Sequence, residues 1–338
     1  TMKTPRIIAL EPTAMQFVQQ AIGKALVRGL ESNHLTQSMI GFTDQKPNQR
    51  MAREGSLTGE LATLDLSDAS DRVSNQHVLD LLDPWPSLSA AVQACRSRKA
   101  DVLGHGVIRL SKFASMGSGL TFPVESMLFF CIAVLGVCSA RCVPVSPRTL
   151  QGLRGLVRVY GDDIIVPADC ASVVTDHLTA FGLKVNVGKS FWTGQFRESC
   201  GGDYYAGEDV TPVRVRRQFP TRRADAEDVQ SLVSLRNQLY YAGLWETTRW
   251  IDEMVVEVLP HFPIVSETST ILGRHSSVFG YEAEAMDVAL QTPLVRGFVS
   301  RSETPTNELD DVFALMKWFL NRISEESEPL SADHLERS

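Results

Sequence analysis

The sequence has little that would place it among zinc-bound, disulfide-bonded or membrane proteins. Its six cysteines never stand at Cys-x-x-Cys spacing, and its seven histidines show no paired ligand spacing. This pattern argues against structural zinc or a disulfide scaffold and is typical of a reducing compartment. The longest apolar run, residues 127–138, is shorter than the roughly 20 residues that span a bilayer. The N-terminal residues do not have the pattern of a signal peptide, so we expect no membrane association.

Acidic residues are missing from one stretch and concentrated in another. The net charge is −7, but residues 303–338 hold nine acids and three bases, so the remainder is close to neutral. Within that remainder, five arginines occur in a short stretch without an acid: Arg214, Arg216, Arg217, Arg222 and Arg223. Such a basic stripe is typical of a solvated face, and it is also the electrostatic signature of phosphate binding.

The centre of the chain is the stretch over residues 156–167, where two β-prone runs flank Gly161, Asp162 and Asp163. These residues predict a β-hairpin with two carboxylates at its tip. Because side chains alternate along a strand, the carboxylates should point to different sides unless the turn re-aims one. Adjacent carboxylates repel unless a cation lies beside them, and their hard oxygens suit Mg²⁺ or Mn²⁺. A solvated, aspartate-rich turn is the alternative interpretation.

A third carboxylate stands in a predicted strand over residues 61–67. Asp65 alternates with Leu64 and Leu66, so it should project away from the core that the leucines fill. Ser67 or Asp68 is predicted to cap the helix that follows. Nucleotidyl transfer uses two metal ions about 4 Å apart, and carboxylates on neighbouring strands can bridge such a pair. We therefore hypothesise that Asp65 meets the hairpin tip in the fold.

A glycine- and serine-rich loop over residues 115–121 precedes an apolar helix that is predicted to run from Pro123 to about Ala140. Its glycines allow a flexible loop that bends closely around other backbone. A loop that leads into a helix N-terminus can hold a phosphate, and it can equally be an ordinary helix entry.

Further elements follow from hydrophobic periodicity and turn residues. We predict strands over 7–10, 107–110 and 184–187, helices over 13–30, 172–181, 224–259 and 309–323, and a hairpin over 196–205. The polar segment 31–59 is predicted to be loop with short helix. Predicted core residues are Phe17, Ile22, Leu26 and Leu30 in the first helix and Leu239, Tyr240, Trp245 and Trp250 later on. His77 is predicted to be structural, and the acidic tail to be frayed.

Four motifs in order resemble the RNA-directed RNA polymerases of single-stranded RNA bacteriophages, the levivirus replicase catalytic subunit. They are Asp-Leu-Ser-Asp-Ala-Ser-Asp at 65–71, Ser-Met-Gly-Ser-Gly-Leu-Thr-Phe at 115–122, Tyr-Gly-Asp-Asp at 160–163, and Phe-Arg-Glu-Ser-Cys-Gly-Gly-Asp-Tyr-Tyr at 196–205. Residues 57–61 and 6–12 resemble the same family. Each motif alone is weak, whereas the ordered set is specific.

The resemblance implies an α+β fold of the right-hand polymerase type, with an antiparallel palm sheet flanked by helices. Residues 1–60 would form partial fingers, and residues 61–210 the palm, with a fingers insertion at about 84–114. Residues 211–338 would form a mostly helical thumb and an acidic C-terminal extension. Most of the N-terminal fingers would be missing. The implied function is template-directed synthesis of a viral RNA genome in the cytoplasm of a bacterial host.

The resemblance also implies roles for individual residues. Asp65, Asp162 and Asp163 would bind two Mg²⁺ ions, with Mn²⁺ as an alternative, and Lys189 would protonate the departing pyrophosphate. The basic stripe would contact template or product RNA through Arg214, Arg216 and Arg217. Nucleoside triphosphates would be bound by Lys3, Arg6, Asp71, Ser115, Gly117, Gly119, Thr121 and Glu125. Family members work with host translation factors, which are therefore expected partners.

Two departures from the general polymerase pattern leave alternatives open. The second acid of the first motif is Asp71 rather than residue 70, and Glu125 stands where many RNA polymerases have asparagine. A reverse transcriptase is the nearest rival, but that class usually has a bulky aromatic residue where this chain has Ser70. A non-catalytic RNA-binding module with a polymerase-like fold is the second rival.

Overall fold

The structure is a computed structural model that describes residues 8–102, 104–301 and 315. It mixes helices with antiparallel strands, which confirms the predicted α+β class. The described residues fall into two compact units, the first ending at Thr211 and the second beginning at Pro212. Except for Leu315, the predicted helix over 309–323 and the acidic tail lie outside the described residues.

The helices are numbered in chain order. They are α1 (Thr13–Ser32), α2 (Lys46–Thr58), α3 (Ala69–Arg72), α4 (Asn75–Leu82), α5 (Pro86–Ala94), α6 (Thr121–Ala140), α7 (Pro147–Gly152), α8 (Ala171–Ala180), α9 (Ala226–Tyr241) and α10 (Trp245–Val258). Two 3₁₀ turns cover Ala168–Cys170 and Val187–Lys189.

The strands are short. They are β1 (Leu61–Leu64), β2 (Leu66–Ser67), β3 (Lys99–Val102), β4 (Gly106–Arg109), β5 (Arg158–Tyr160), β6 (Asp163–Pro167), β7 (Lys184–Val185), β8 (Phe196–Ser199), β9 (Gly202–Tyr205), β10 (Glu208–Asp209), β11 (Ala285–Met286) and β12 (Pro293–Leu294).

A three-stranded antiparallel sheet in the order β1-β6-β5 lies at the centre of the first unit. The predicted hairpin is present as β5 and β6, which pair from Arg158↔Ile165 to Tyr160↔Asp163. Strand β1 lies on the other side of β6, with Leu64 opposite Ile164. One step further in this register brings Asp65 level with Asp163, so strand pairing joins two motifs that are distant in sequence.

The core of the first unit forms around helix α6, which packs against α8 and the central sheet. The helix is apolar on nearly all sides, as a helix buried within a protein is expected to be. It begins at Thr121, two residues before the predicted start, and its 20 residues are long and apolar enough to cross a bilayer. Since most of α6 is buried inside the unit, it is a core helix here.

The segment predicted to be loop with short helix, residues 31–59, contains the 13-residue helix α2 after a stretch of loop and turn. Its buried positions are Asn48, Ala52, Gly55 and Ser56, which have helical spacing but are polar or small. A pattern built on large apolar residues does not detect such a face, so the sequence did not give the bounds of this helix. Helix α2 packs against β1 and the β8–β9 hairpin.

Two details of the predicted helices were also wrong. Phe17 of α1 is 77% exposed, whereas Gln19 on the same helix is fully buried. The helix after β2 is divided into α3 and α4, and its effective cap is Ser74, whose hydroxyl accepts a hydrogen bond from the Gln76 N–H. Asp68 has a left-handed backbone conformation and makes no side-chain cap.

The second unit has its own core between α9 and α10, which contains Leu239, Ile251 and Val255. The single helix predicted over 224–259 is interrupted at Gly243, whose φ is +75°. Trp245 and Trp250 were predicted to be core residues, but they are 67% and 51% exposed. An ion pair joins the helices of this unit, with Arg236 Nε 2.8 Å from Asp252 Oδ1.

Candidate active site

The tip of the β5–β6 hairpin holds Gly161 and Asp162, with Asp163 as the first residue of β6. Gly161 has φ +61°, a left-handed conformation that favours glycine. A Cβ atom at Gly161 would lie 2.4 Å from the Phe122 ring, so the close approach of α6 also requires glycine. The Gly161 N–H donates to Ser126 Oγ at 3.1 Å, which fixes the turn to the same helix.

The second carboxylate of the turn, that of Asp163, is held by the β8–β9 hairpin. Ser199 Oγ donates to Asp163 Oδ1 at 3.3 Å, and the Cys200 backbone also donates to this carboxylate. Burial raises the pKa of Asp163 to about 6, and the charges of Asp162 and Asp65 add to the rise. Asp163 is therefore turned toward the β8–β9 hairpin and held there.

A buried polar chain supports this contact from behind. Asn48 Nδ2 donates to Ser199 Oγ at 3.4 Å, and Arg158 Nε donates to Asn48 Oδ1 at 2.7 Å. All three residues are buried. Since buried polar groups are costly unless paired, this chain connects α2, β5 and β8 at Asp163.

Asp65 lies between β1 and β2 and is held from the segment that follows β7. Its N–H donates to Ser190 Oγ at 3.0 Å, and its Oδ2 accepts a hydrogen bond from Asn186 Nδ2 at 2.9 Å. Burial raises the pKa of Asp65, while the Asn186 hydrogen bond and the Lys189 charge oppose the rise. The Asp162 charge raises it further, which places the two acids within electrostatic range of each other.

The acids have the right chemistry for a hard divalent cation, since carboxylate oxygens are the ligands that Mg²⁺ and Mn²⁺ prefer. Each raised pKa reflects buried negative charge that a cation would compensate. Among the described residues, however, no three His, Cys, Asp or Glu side chains form a group that could hold a metal ion. The donor set fits a metal by its chemistry, and the assignment of Asp65, Asp162 and Asp163 as ligands stays a prediction.

Glu125 lies on α6 beside the turn and is 8% exposed. Among the described atoms, its Oε2 has no hydrogen-bond partner. Burial raises the pKa of Glu125 to about 8, and the Asp162 charge adds to the rise. A carboxyl group in these surroundings is mainly protonated at neutral pH and can donate a hydrogen bond.

The glycine-rich loop is held in place by hydrogen bonds, in contrast to the predicted flexible loop. Gln19 Oε1 accepts from the Gly119 N–H at 3.0 Å and from Ser118 Oγ at 3.2 Å. Thr121 Oγ1 donates to the Ser115 carbonyl at 2.8 Å, which closes the loop on itself. A Cβ atom at Gly117 would lie 2.2 Å from the Ala9 carbonyl oxygen, so the loop requires glycine there.

The remaining residues with predicted roles are Lys189, Asp71, Lys3 and Arg6. Lys189 Nζ lies 3.7 Å from Glu198 Oε1, near Asp65, and keeps a largely exposed side chain. Asp71 forms an ion pair with Lys112 at 2.5 Å, so its carboxylate already has a cationic partner. Lys3 and Arg6 lie outside the described residues.

The basic stripe belongs to the second unit and is partly neutralised there. Arg217 contacts Glu227 at 2.5 Å and Asp228 at 3.2 Å, and Arg222 contacts Asp225 at 3.4 Å. Arg214 and Arg216 are exposed and have no ion pair within the described ranges.

Sequence reasoning missed the residues that hold the site together, namely Gln19, Asn48, Asn186 and Ser199. Each is an ordinary polar residue in a segment without a motif, so no local pattern marks it. Ser199 is the partial exception, because it falls within the motif over residues 196–205.

The fold has a counterpart among solved polymerase structures. An insertion-loop deletion mutant of the RNA-dependent RNA polymerase of a human picorbirnavirus matches 75% of this chain and 54% of its own, with TM-score 0.52 and 13% identity. A second structure of the same picorbirnavirus enzyme matches with TM-score 0.51. At this identity the likeness shows the fold alone, and the class that it defines is the viral RNA polymerase fold.

The family model for the RNA replicase beta chain matches residues 1–263, and this chain belongs to that family. The RNA-directed RNA polymerase beta chain of Escherichia phage MS2 is 37% identical over 215 residues, or 64% of this chain. The corresponding subunits of Escherichia virus Qbeta and Enterobacteria phage SP are also 37% identical, over 72% and 76% of this chain. The matched part covers only 36% to 42% of the length of these relatives, so the chain spans about two fifths of each.

Proposed function

We propose that this chain contains the catalytic palm of an RNA-directed RNA polymerase that copies a single-stranded RNA genome. The observation that carries the proposal is the register of the central sheet, in which β1 pairs with β6 up to Leu64↔Ile164. This pairing brings Asp65 next to the turn that holds Asp162 and Asp163. The electrostatic coupling between these acids supports the same arrangement.

In this proposal Asp65, Asp162 and Asp163 hold divalent cations, with Mg²⁺ ahead of Mn²⁺. Bound cations would supply Lewis-acid stabilisation of the charge that develops during nucleotidyl transfer. The protein side chains hold the acids in place: Asn186 orients Asp65, and Ser199 orients Asp163. Asp162 has the central charge, since it raises the pKa of both other aspartates and of Glu125.

The nucleotide would occupy the space beside the turn. The loop over residues 115–121 would contact the template and the ribose, and protonated Glu125 would donate a hydrogen bond to a sugar hydroxyl. Lys189, near Asp65, would donate a proton to the departing pyrophosphate. Lys3 and Arg6 keep their predicted role at the triphosphate. Asp71 would approach the ribose only after exchanging its Lys112 partner.

The finer assignments belong to the same proposal. Residues 1–60 would be partial fingers, 61–210 the palm and 211–338 the thumb with its extension. Arg214 and Arg216 would contact RNA directly, whereas Arg217 would first have to leave Glu227 and Asp228. Host translation factors and a site of action in the bacterial cytoplasm are proposed from the family.

Replacing Asp162 with asparagine tests the assignment. The variant keeps the shape of the turn but removes the central charge, so RNA synthesis on a primed template should fall at least about 100-fold, the scale of losing one key electrostatic group. Binding of RNA should persist. Glu60→Gln, which neutralises an exposed acid outside the site, is the matched control. Synthesis at the wild-type rate by Asp162→Asn would remove Asp162 from the metal site.

The reverse-transcriptase alternative is tested by substrate choice. Ser70 is small, so the site should accept a ribose 2′-hydroxyl, and ribonucleotides should be incorporated in preference to deoxyribonucleotides. Ser70→Phe should penalise ribonucleotides selectively. A wild-type preference for deoxy substrates would favour the alternative.

If the chain were a non-catalytic RNA-binding module, the wild-type protein would show no RNA synthesis. It would bind RNA but synthesise none with either Mg²⁺ or Mn²⁺. Calorimetric titration with each cation separates this case further, because a non-catalytic module has no need for cation binding at Asp162.

A further inference from the structure

A basic hairpin projects between the first and second motifs of the site. It consists of β3 and β4, which pair from Lys99↔Arg109 to Val102↔Gly106. Between positions 96 and 112 the sequence has one acid, Asp101, against five bases: Arg96, Arg98, Lys99, Arg109 and Lys112. Excess positive charge of this kind is not required by the hairpin fold.

The cations crowd one another at the base of the hairpin. Lys99 stands directly opposite Arg109 in the strand register, and like charges in that position destabilise a sheet. Burial lowers the pKa of Arg96, and the charges of Arg98 and Arg109 lower it further, which shows that the three guanidinium groups lie within electrostatic range. Folding thus brings together positive charges that repel.

Two of these cations remain uncompensated. Lys112 is paired with Asp71, and Arg96 donates hydrogen bonds to the Lys112 and Phe113 carbonyls. Arg98 and Arg109 are exposed and form no ion pair or side-chain hydrogen bond within the described part of the chain. Lys99 has an interaction of its own in the chain. The positive charge that is available to a ligand is therefore that of Arg98 and Arg109.

The hairpin is also anchored to the proposed active site. The Arg96 guanidinium holds the hairpin base against residues 112 and 113, which lead directly into the loop that begins at Ser115. The Phe113 N–H donates to the Val73 carbonyl at 2.7 Å, which ties the same segment to the end of α3. Arg98 and Arg109 therefore lie at the base of a hairpin that hydrogen bonds fix to the first unit.

We propose that the β3–β4 hairpin binds the phosphate backbone of single-stranded template RNA through Arg98 and Arg109. Val107, which is 49% exposed and shares a face of the hairpin with Arg109, would lie against ribose or bases beside the phosphates. Arg98 precedes Lys99 and Arg109 stands opposite Lys99, so the two guanidinium groups leave opposite faces, and a polyanion would cross the base of the hairpin to meet both. This inference rests on the proposed function, because it names the partner of a surface next to that site.

The test compares RNA binding by Arg98→Ala/Arg109→Ala and wild-type protein as a function of salt. Affinity for a labelled single-stranded RNA oligonucleotide is measured by fluorescence anisotropy between low and physiological salt. The slope of log K against log salt is negative, and each lost phosphate contact should reduce its magnitude by about 0.7. The slope of the double variant should therefore be shallower than that of wild type by about 1.4. Its affinity at low salt should fall several-fold.

Two further variants serve as controls. Arg28→Ala/Arg148→Ala removes the same charge from exposed positions on α1 and α7 and should keep the wild-type slope. Arg98→Lys/Arg109→Lys keeps the positive charge and should retain most of the wild-type salt slope. No variant should have an unfolding midpoint below that of wild type, because the substituted side chains are exposed, and the double alanine variant also relieves the repulsion at Lys99 and Arg96.

A wild-type salt slope in the double alanine variant would overturn the inference. An equal loss in the Arg28/Arg148 control would overturn it as well, because the effect would then follow net charge alone. Nucleotide KM is measured in parallel, and a rise in KM with unchanged RNA affinity would assign the hairpin to the triphosphate instead. These binding results do not depend on catalysis, so they stay distinguishable from the outcome for Asp162→Asn.

Discussion

Asp162 is the charge around which the other acids of the site are arranged. Burial raises the pKa of Asp65, Asp163 and Glu125, and the Asp162 charge adds to the rise in each; these three residues come from two strand ends and a helix. Its neighbour Asp163 is held by Ser199 and is withdrawn toward the β8–β9 hairpin. That the two carboxylates point to different sides of the hairpin stays a prediction from the alternation of side chains.

Gly161 makes this arrangement possible, and its replacement is the first prediction. Alanine at Gly161 would have an unfavourable positive φ, at a cost of about 1–2 kcal/mol. It would also overlap the Phe122 ring, which lies 2.4 Å from the added Cβ. We expect Gly161→Ala to lower the free energy of unfolding by about 2–5 kcal/mol, since overpacking adds about 1–3 kcal/mol. Urea denaturation measures this loss.

Gly155→Ala is the matched control, because Gly155 has φ +76° and no described atom within 4 Å of an added Cβ. That variant has the conformational cost without the overlap. Similar losses in the two variants would show that contact with Phe122 does not restrict the turn.

At the scale of elements, two helices hold the site through polar side chains. Helix α2 presents Asn48 to Ser199, and α1 presents Gln19 to the loop over residues 115–121. Both amides are fully buried. Helix α1 also packs Ile22, Leu26 and Leu30 against the first core, as predicted, so it contributes both to the core and to the site.

Gln19 is predicted to set the conformation of the loop. Its Nε2 donates to the Cys95 carbonyl at 2.6 Å, while its Oε1 accepts from Gly119 and Ser118. Gln19→Ala would leave buried donors and acceptors unpaired, at about 1–3 kcal/mol each. With the Cys95 carbonyl and the Gly119 N–H both left without a partner, we expect a loss of about 2–6 kcal/mol in the free energy of unfolding. Faster hydrogen exchange at the Gly119 amide should accompany it.

Gln20 provides the comparison, because it is the next residue on the same helix and is exposed. Gln20→Ala should change stability by no more than about 0.5 kcal/mol, as surface substitutions usually do. Unchanged Gly119 exchange in Gln19→Ala would show that other contacts fix the loop.

At the scale of the whole molecule, each unit has a separate core. The first core gathers around α6 and the central sheet, and the second around α9 and α10. The proposed catalytic acids all belong to the first unit, and the basic stripe belongs to the second.

The buried acids predict how stability depends on pH. An acid whose pKa is higher in the folded than in the unfolded protein binds more protons when folded, so the free energy of unfolding falls as pH rises between the two values. Glu125 has a window from 4.5 to about 8, and Asp163 one from 3.8 to about 6. Without divalent cations, stability should therefore fall from about pH 4 to pH 8.

Glu125→Gln should remove most of the slope above pH 6. Since one pKa unit corresponds to about 1.4 kcal/mol, the Glu125 contribution at full ionisation is on the order of 5 kcal/mol. Urea denaturation in EDTA from pH 5 to 9 measures the slope, with Glu60→Gln as the control. Parallel curves for wild type and Glu125→Gln would contradict the raised pKa of Glu125. Added Mg²⁺ should flatten the wild-type curve if the acids bind it.

Much of the fold was predictable where local chemistry is strong. The β5–β6 hairpin, the β8–β9 hairpin, α6 and α8 follow from β-branched runs, turn glycines and apolar periodicity. The exposure of Trp245, Trp250 and Phe17 was not predictable, because an aromatic residue at helical spacing can face either way. The bounds of α2 were not predictable, because its buried face is made of small and polar residues.

The sequence by itself determined the order of the motifs and the family, because turn residues, strand-forming runs and acids have local signatures. Tertiary structure alone decided that β1 pairs with β6 up to Leu64↔Ile164, next to Asp65 and Asp163, that Ser199 holds Asp163, and that Gln19 is buried against the loop. Strand register and the pairing of buried polar groups depend on contacts between residues far apart in the chain, and a one-dimensional pattern has no information on which distant partner a group will meet.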